Sequence, residues 1–183
     1  YKELLIQTKL IQQDRGFYET ALVKIGNDYW RLIKITPGNV IIDIIKIIGK
    51  YNKKIIMIGF VGALSNLRSI GELVIPEYTV NPDNSKEKIK FSSFGESAGT
   101  TCQVNGLIQD QSFYEKLIHN SIEYVDMESY WLASFAQIYG NKVSLFGIIS
   151  DNPLEYPFYI ANDNVLRSIK KNVNAIIKKI KYK

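Results

Sequence analysis

Two carboxylates stand out by position: Glu128 and Asp151 lie at the two ends of one strand–helix–strand unit spanning residues 122–152. Carboxyl groups can hold or move a proton, and such work needs them placed together beside a ligand. The segment ending in Val125-Asp126-Met127-Glu128-Ser129 leads into a helix, with apolar residues at Trp131, Leu132, Phe135, Ala136 and Tyr139 in 3-4 spacing. Gly140 and Asn141 stop it. Residues 143–149 then read as a buried strand, nearly all apolar, ending at Ser150-Asp151. A crossover of this kind brings its ends to the same edge of a sheet, where open α/β folds keep their ligands.

Other chemistries are poorly served. The lone cysteine, Cys102, excludes an internal disulfide, favours a reducing, cytoplasmic setting and reads as a small buried residue. The lone histidine, His119, sits in a polar helical stretch, which excludes a Ser-His-Asp triad or a histidine-rich metal site. No metal and no cofactor is expected. No apolar run reaches the length of a membrane span, and no signal peptide is visible. The net charge is +5, and lysines gather near the end at Lys170, Lys171, Lys178, Lys179, Lys181 and Lys183. A solvated helix face accounts for them, and no nucleic-acid motif accompanies them.

The elements that must position the carboxylates follow from pattern. The 183 residues suit one domain, 1–183, with one core. Apolar residues at Leu4, Leu5, Ile6, Leu10 and Ile11 predict a helix over 2–13, broken by Gly16. Residues 19–24 and 29–35 predict a hairpin about Gly26-Asn27-Asp28, followed by a sharp loop at Thr36-Pro37-Gly38. Residues 40–48 fit helix or strand by periodicity, and their length favours helix. Residues 54–59 predict a strand, and Gly59 to Leu64 a glycine-spaced turn where the backbone comes close to a ligand or another segment. Residues 70–76 turn into a further strand, 81–99 read as a polar loop, and 100–108 as a strand. A helix runs from Asp110 through Ile118, and a last one carries Val165, Leu166, Ile169, Val173, Ile176, Ile177 and Ile180 on one face.

In this order the motifs resemble the nucleoside phosphorylase/nucleosidase superfamily, of the purine nucleoside phosphorylase and methylthioadenosine/adenosylhomocysteine nucleosidase type. The resemblance rests on Ile58-Gly59-Phe60-Val61-Gly62-Ala63-Leu64, on Ile70-Gly71-Glu72-Leu73-Val74-Ile75-Pro76, on Val125-Asp126-Met127-Glu128-Ser129 and on Ile148-Ile149-Ser150-Asp151, with weaker matches at residues 36–39 and Phe113-Tyr114. It implies a three-layer αβα fold around a mixed twisted sheet, here with a reduced N-terminal part, since the family's first strand has no clear counterpart. It implies cleavage of an N-glycosidic bond in a nucleoside, with Asp151 as the acid beside the purine and Glu128 accepting from ribose hydroxyls. Met127 would pack on the sugar and Phe113 stack on the base, core packing being the alternative for both. Gly59, Phe60, Ser150 and Val125 would complete the substrate site, and Asp126 would turn outward or brace a loop, outside the chemistry. Family members that hold phosphate carry an arginine and a hydroxyl residue where this chain has Met57 and Phe60, so the departures favour hydrolysis over phosphorolysis, unless Arg68, Arg31 or a neighbouring subunit supplies the anion site. The family also implies a homo-oligomer, and the aromatic loop of residues 156–159 is a candidate contact or lid.

Overall fold

The computed structural model describes residues 1–15, 18–38, 40–51, 54–106, 108–157 and 163–182. In chain order the elements are α1 (Lys2–Gln7), β1 (Lys9–Arg15), β2 (Glu19–Ile25), β3 (Asp28–Ile33), α2 (Val40–Ile48), β4 (Lys54–Ala63), β5 (Leu73–Val74), β6 (Tyr78–Asn81), β7 (Asn84–Lys90), β8 (Thr100–Gln103), α3 (Gln111–His119), β9 (Tyr124–Asp126), α4 (Ser129–Ile138), β10 (Lys142–Asp151) and α5 (Asp163–Lys181). Strands β5-β10-β4-β9-β8-β6-β7 form a seven-stranded sheet, and β1-β2-β3 a separate three-stranded one. The large sheet is mixed: β10 runs parallel to β4, whereas β9 runs antiparallel to it.

Successive residues of a strand face opposite ways, so a strand buried on both sides marks a central layer. Leu145 and Phe146 are adjacent in β10 and both fully buried. Leu145 packs with Met57, Ile41, Ile45 and Leu132, beneath α2 and α4. Phe146 packs with Val23, Ile25, Ile176 and Ile180, beneath the small sheet and α5. These two cores make the fold three layers deep. A third cluster seats Tyr114 and Leu117 of α3 on Val80, Cys102 and Val125.

Several expectations need correcting. Residues 2–13 are not one helix: α1 ends at Gln7, Thr8 is extended, and β1 pairs with β2 instead. Leu10 and Ile11, counted toward a helical stripe, are nearly half exposed on that small sheet. The glycine-spaced turn at 59–64 is strand, because β4 runs unbroken to Ala63. The polar stretch after Asn81 folds back as the β6–β7 hairpin at the edge of the large sheet, where polar side chains meet water. Strand β8 stops at Gln103 and leaves Gly106 outside. In α5 the buried apolar positions are Val173, Ile176 and Ile180, while Leu166 is exposed. Gly16, Asn39, Phe158, Tyr159 and Lys183, each part of an expectation above, lie outside the described residues. Among the described residues no helix is long and apolar enough to cross a membrane.

Candidate functional site

The unit around Glu128 and Asp151 forms, but not as a simple crossover. Strand β4 separates β9 from β10, and β9 is antiparallel to both. What brings the carboxylates toward one region is register. Asp151 pairs with Gly62, Gly62 with Val125, and Val125 with Cys102, so these residues form one row across the sheet. Because β9 runs against β4, the chain beyond Val125 heads back along β4 toward Phe60 and Gly59 before reaching Glu128. Asp151 therefore stands in the row of Gly62 and Val125, and Glu128 just beyond the end of β9, at the start of α4.

Asp151 is aimed by a bulge. Ile149 pairs with Val61 and Asp151 with Gly62, which leaves Ser150 as the extra residue. Such bulges redirect a side chain out of the regular pleat. The Ser150 hydroxyl donates to Asp151 Oδ1 at 2.5 Å. The other carboxylate oxygen lies over Gly62: a Cβ there would sit 3.3 Å from Oδ2, 3.0 Å from Val125 Cγ2 and 3.1 Å from Pro153 Cγ. The close approach expected of this glycine holds, but within a strand rather than a turn. Behind Asp151, the Asn152 amide donates to Asn66 Oδ1 at 2.7 Å and ties the end of β10 to the loop after β4. Burial raises the Asp151 carboxyl above its ordinary range, against the opposing Ser150 bond.

Glu128 is set by the start of α4. Asp126 Oδ1 accepts the backbone N–H groups of Glu128 and Ser129 at 2.8 and 2.6 Å, satisfying first-turn donors of the helix. Its Oδ2 accepts from the Thr101 hydroxyl at 2.6 Å. Asp126 thus braces the loop as expected, though it is buried rather than turned outward. That leaves the Glu128 side chain free of capping duty, and its Oε1 accepts the Gly38 N–H at 2.5 Å. Gly38 has φ +98°, a backbone conformation that glycine adopts without strain. Burial pushes the Glu128 carboxyl up to about 7, with the nearby Asp126 charge adding to the shift and the Gly38 N–H opposing it.

The remaining candidates scatter around this frame. Val125 is buried, while Met127 and Phe113 are half-buried and pack on the α3 cluster. Phe113 meets Tyr114 edge-on at 5.7 Å. Phe60 is 45% exposed in the middle of β4, an unusual place for an uncovered aromatic ring, and Gly59 is partly exposed beside it. Met57 faces the α2/α4 core and takes no part in this region. Arg68 is held by Glu72 at 2.7 Å and Arg31 by Asp14 at 3.5 Å. His119 is exposed, and burial pushes the Cys102 thiol up to about 12, far from a nucleophile's range. One neighbour escaped the sequence reading. Tyr114 is buried, and its phenol is raised by burial and then by the charge of Asp151. Its signal was present in the apolar spacing of Tyr114 and Leu117 on α3, which marks the buried helix face.

The mixed sheet layered between helices is a three-layer α/β fold of the nucleoside phosphorylase-like kind. Among solved structures the chain is similar to a 5′-methylthioadenosine/S-adenosylhomocysteine nucleosidase of Campylobacter jejuni, with TM-score 0.81 and 16% identity over 100% of this chain and 94% of that one. It is similar also to an S-adenosylhomocysteine nucleosidase of Streptococcus pyogenes in complex with 5-methylthiotubericidin, with TM-score 0.80 and 15% identity over 99% and 91%. A uridine phosphorylase of Vibrio fischeri gives TM-score 0.80 and 13% identity over 100% and 87%. No family model and no curated protein matches the sequence.

Proposed function

We propose that this protein is a nucleosidase that hydrolyses the N-glycosidic bond of a purine nucleoside or a 5′-thio or homocysteinyl derivative of adenosine. The observation that carries the reading is a pair of buried carboxylates, Asp151 and Glu128, each with acceptor capacity to spare and each with raised proton affinity. In this reaction water adds to the anomeric carbon as the C–N bond breaks, and the bonding electron pair leaves with the base. Positive charge builds on the ribose and negative charge on the base. Asp151, whose hold on its proton is strengthened by burial, donates to the departing purine, and the proton that the attacking water loses passes through solvent to restore it. Glu128 accepts from the ribose hydroxyls through the lone pairs that Gly38 leaves unused, and its charge stabilises the cationic sugar. Met127 and Phe113 offer the apolar wall for sugar and base.

Hydrolysis is favoured over phosphorolysis by the side chains around β4. Phe60 offers no donor to an anion, Met57 is turned into the core, and Arg68 and Arg31 are engaged by carboxylates. The test is release of free base from methylthioadenosine, adenosylhomocysteine and unmodified purine nucleosides, with and without phosphate. Phosphate-independent release is expected, and Asp151→Asn should lower kcat by about 10²–10⁴-fold. The pH profile of kcat/KM should rise through about pH 7 as Glu128 ionises. Strict phosphate dependence would turn the reading to a phosphorylase. Nucleoside binding without turnover would turn it to a non-catalytic binder, and equal rates in wild type and Asp151→Asn would remove Asp151 from the chemistry.

A further inference from the structure

The strand that carries Asp151 ends in a closed ring. Asn152 and Tyr156 exchange both backbone bonds: the Asn152 N–H donates to the Tyr156 carbonyl at 3.0 Å, and the Tyr156 N–H to the Asn152 carbonyl at 2.7 Å. Inside the ring the Glu155 N–H also reaches the Asn152 carbonyl at 3.1 Å, and the Leu154 N–H reaches Asn152 Oδ1 at 3.1 Å. Pro153 fixes its own φ and confines the residue before it to extended backbone. The residue that follows Asp151 therefore has little conformational freedom. Its one remaining polar group, the side-chain nitrogen, donates to Asn66 Oδ1 at 2.7 Å. Asn66 returns a second bond, from its own Nδ2 to Glu155 Oε1 at 2.5 Å. One side chain thus grips the ring at two points, with an acceptor and a donor on the same planar amide. The loop that carries Asn66 is itself anchored by Arg68, which donates to Glu72 at 2.7 Å and to the Tyr124 phenol. Leu67 between them is 91% exposed, so polar contacts rather than packing hold this loop.

We propose that Asn66 is a positioning residue for Asp151: by gripping the ring at Asn152 and Glu155, it holds the Asp151 carboxylate over Gly62. The geometry around that glycine carries the link. A Cβ on Gly62 would meet Asp151 Oδ2 at 3.3 Å and Pro153 Cγ at 3.1 Å, so the carboxylate and the ring rest on the same backbone floor. Strand pairing fixes Asp151 on one side, and the ring fixes it on the other. The bulge at Ser150 makes the second constraint necessary, because a bulged strand end is no longer aimed by the regular pleat. Freed from Asn66, the ring can tilt as a unit about Asn152 and carry the Asp151 carboxylate with it. The consequence for rate rests on the nucleosidase reading, in which Asp151 must reach the leaving base. The consequence for the carboxylate's place does not.

The test uses Asn66→Asp, Asn66→Ala, Glu155→Gln and the double variant Asn66→Asp with Glu155→Gln. Asn66→Asp keeps the acceptor for Asn152 but sets a second carboxylate against Glu155, and Glu155→Gln supplies the donor that is then missing. Asn66 and Glu155 are exposed, so all four proteins should fold, and urea midpoints check this. Base release from methylthioadenosine should show kcat lowered about tenfold to a hundredfold in Asn66→Asp with KM within about twofold, since misplacing a reacting group costs rate rather than binding. The double variant should return to within about twofold of Glu155→Gln alone. NMR titration of Tyr114 reports the Asp151 carboxylate without any turnover, because that charge raises the phenol. The phenol should fall in Asn66→Asp and in Asn66→Ala, which adds no charge, and recover in the double variant. A Tyr114 phenol unmoved by both Asn66 substitutions, or a double variant that recovers neither kcat nor the phenol, would overturn the proposal. If the wild type releases no base, the nucleosidase reading falls, and the Tyr114 titration still decides the role of Asn66.

Discussion

Asp126 and Glu128 stand two residues apart at the mouth of α4, and both are buried. Asp126 spends its carboxylate on three donors, the Thr101 hydroxyl and the N–H groups of Glu128 and Ser129. Glu128 accepts from the Gly38 N–H, and Asp151 across the sheet from the Ser150 hydroxyl. A carboxylate offers about four acceptor sites. The first group is therefore close to saturated, and the other two keep acceptor capacity that only a ligand or solvent can use. The difference separates an acid that holds the fold from acids that are available for chemistry, although composition and burial alone would class them together.

The largest effect should come from the saturated acid. Asp126→Ala strips three donors of their acceptor inside the core and frees the start of α4. A loss of about 3–5 kcal/mol is expected from these orphaned groups. Urea unfolding measures it, with Asp151→Asn as the reference, which should stay within about 1 kcal/mol of wild type because only one bond is altered. If the two variants cost the same, the contrast between saturated and unsaturated acids is wrong.

Glu128 should show the opposite sign. Its folded carboxyl is raised from 4.5 to about 7, so the folded state holds its proton more tightly than the unfolded chain. Stability is then full below about pH 4.5 and declines as pH rises through about 7. Glu128→Gln keeps an acceptor for the Gly38 N–H and removes the buried charge. It should stabilise the protein at pH 8 by at most about 3 kcal/mol, and leave it unchanged at pH 4. Urea midpoints at the two pH values give the answer. A variant less stable than wild type at pH 8 would mean that the charge is compensated by something other than Gly38. Gain of stability with loss of base release is the pattern expected where a strained charge serves a ligand.

The sequence carried the elements that hold these acids better than their surroundings. The helix and the apolar strand between Glu128 and Asp151 were legible because periodicity reports such elements well. Asp126 was legible only as a bracing residue. Its partner Thr101 lies 25 residues away, and no local pattern encodes a contact of that range. Gly62 was read only in part for a related reason: the close approach was expected, but so was a turn. A glycine in a chain signals that a side chain is not tolerated, but not whether a turn or a neighbour forbids it. Here Val125, Pro153 and Asp151 do so, all distant in sequence. The failure over residues 2–13 was local. Leu4, Leu5, Leu10 and Ile11 keep helical spacing, yet Thr8 ends α1 with its hydroxyl on the Leu4 carbonyl and the chain extends into β1.

The smallest effect tests whether Asp151 faces α3. Tyr114 is raised first by burial and second by the Asp151 charge, so removing that charge should lower its phenol without restoring the ordinary value. Tyrosine titration followed by NMR with ring-labelled protein, in wild type and Asp151→Asn, resolves this residue from the other eleven tyrosines of the chain. The direction follows from electrostatics, because a carboxylate disfavours the tyrosinate and a neutral amide does not. An unshifted Tyr114 would place the Asp151 carboxylate away from the α3 face and toward bulk water. The raised proton affinity on which the acid role depends would then lose its cause, while the bracing role of Asp126 would stand unchanged.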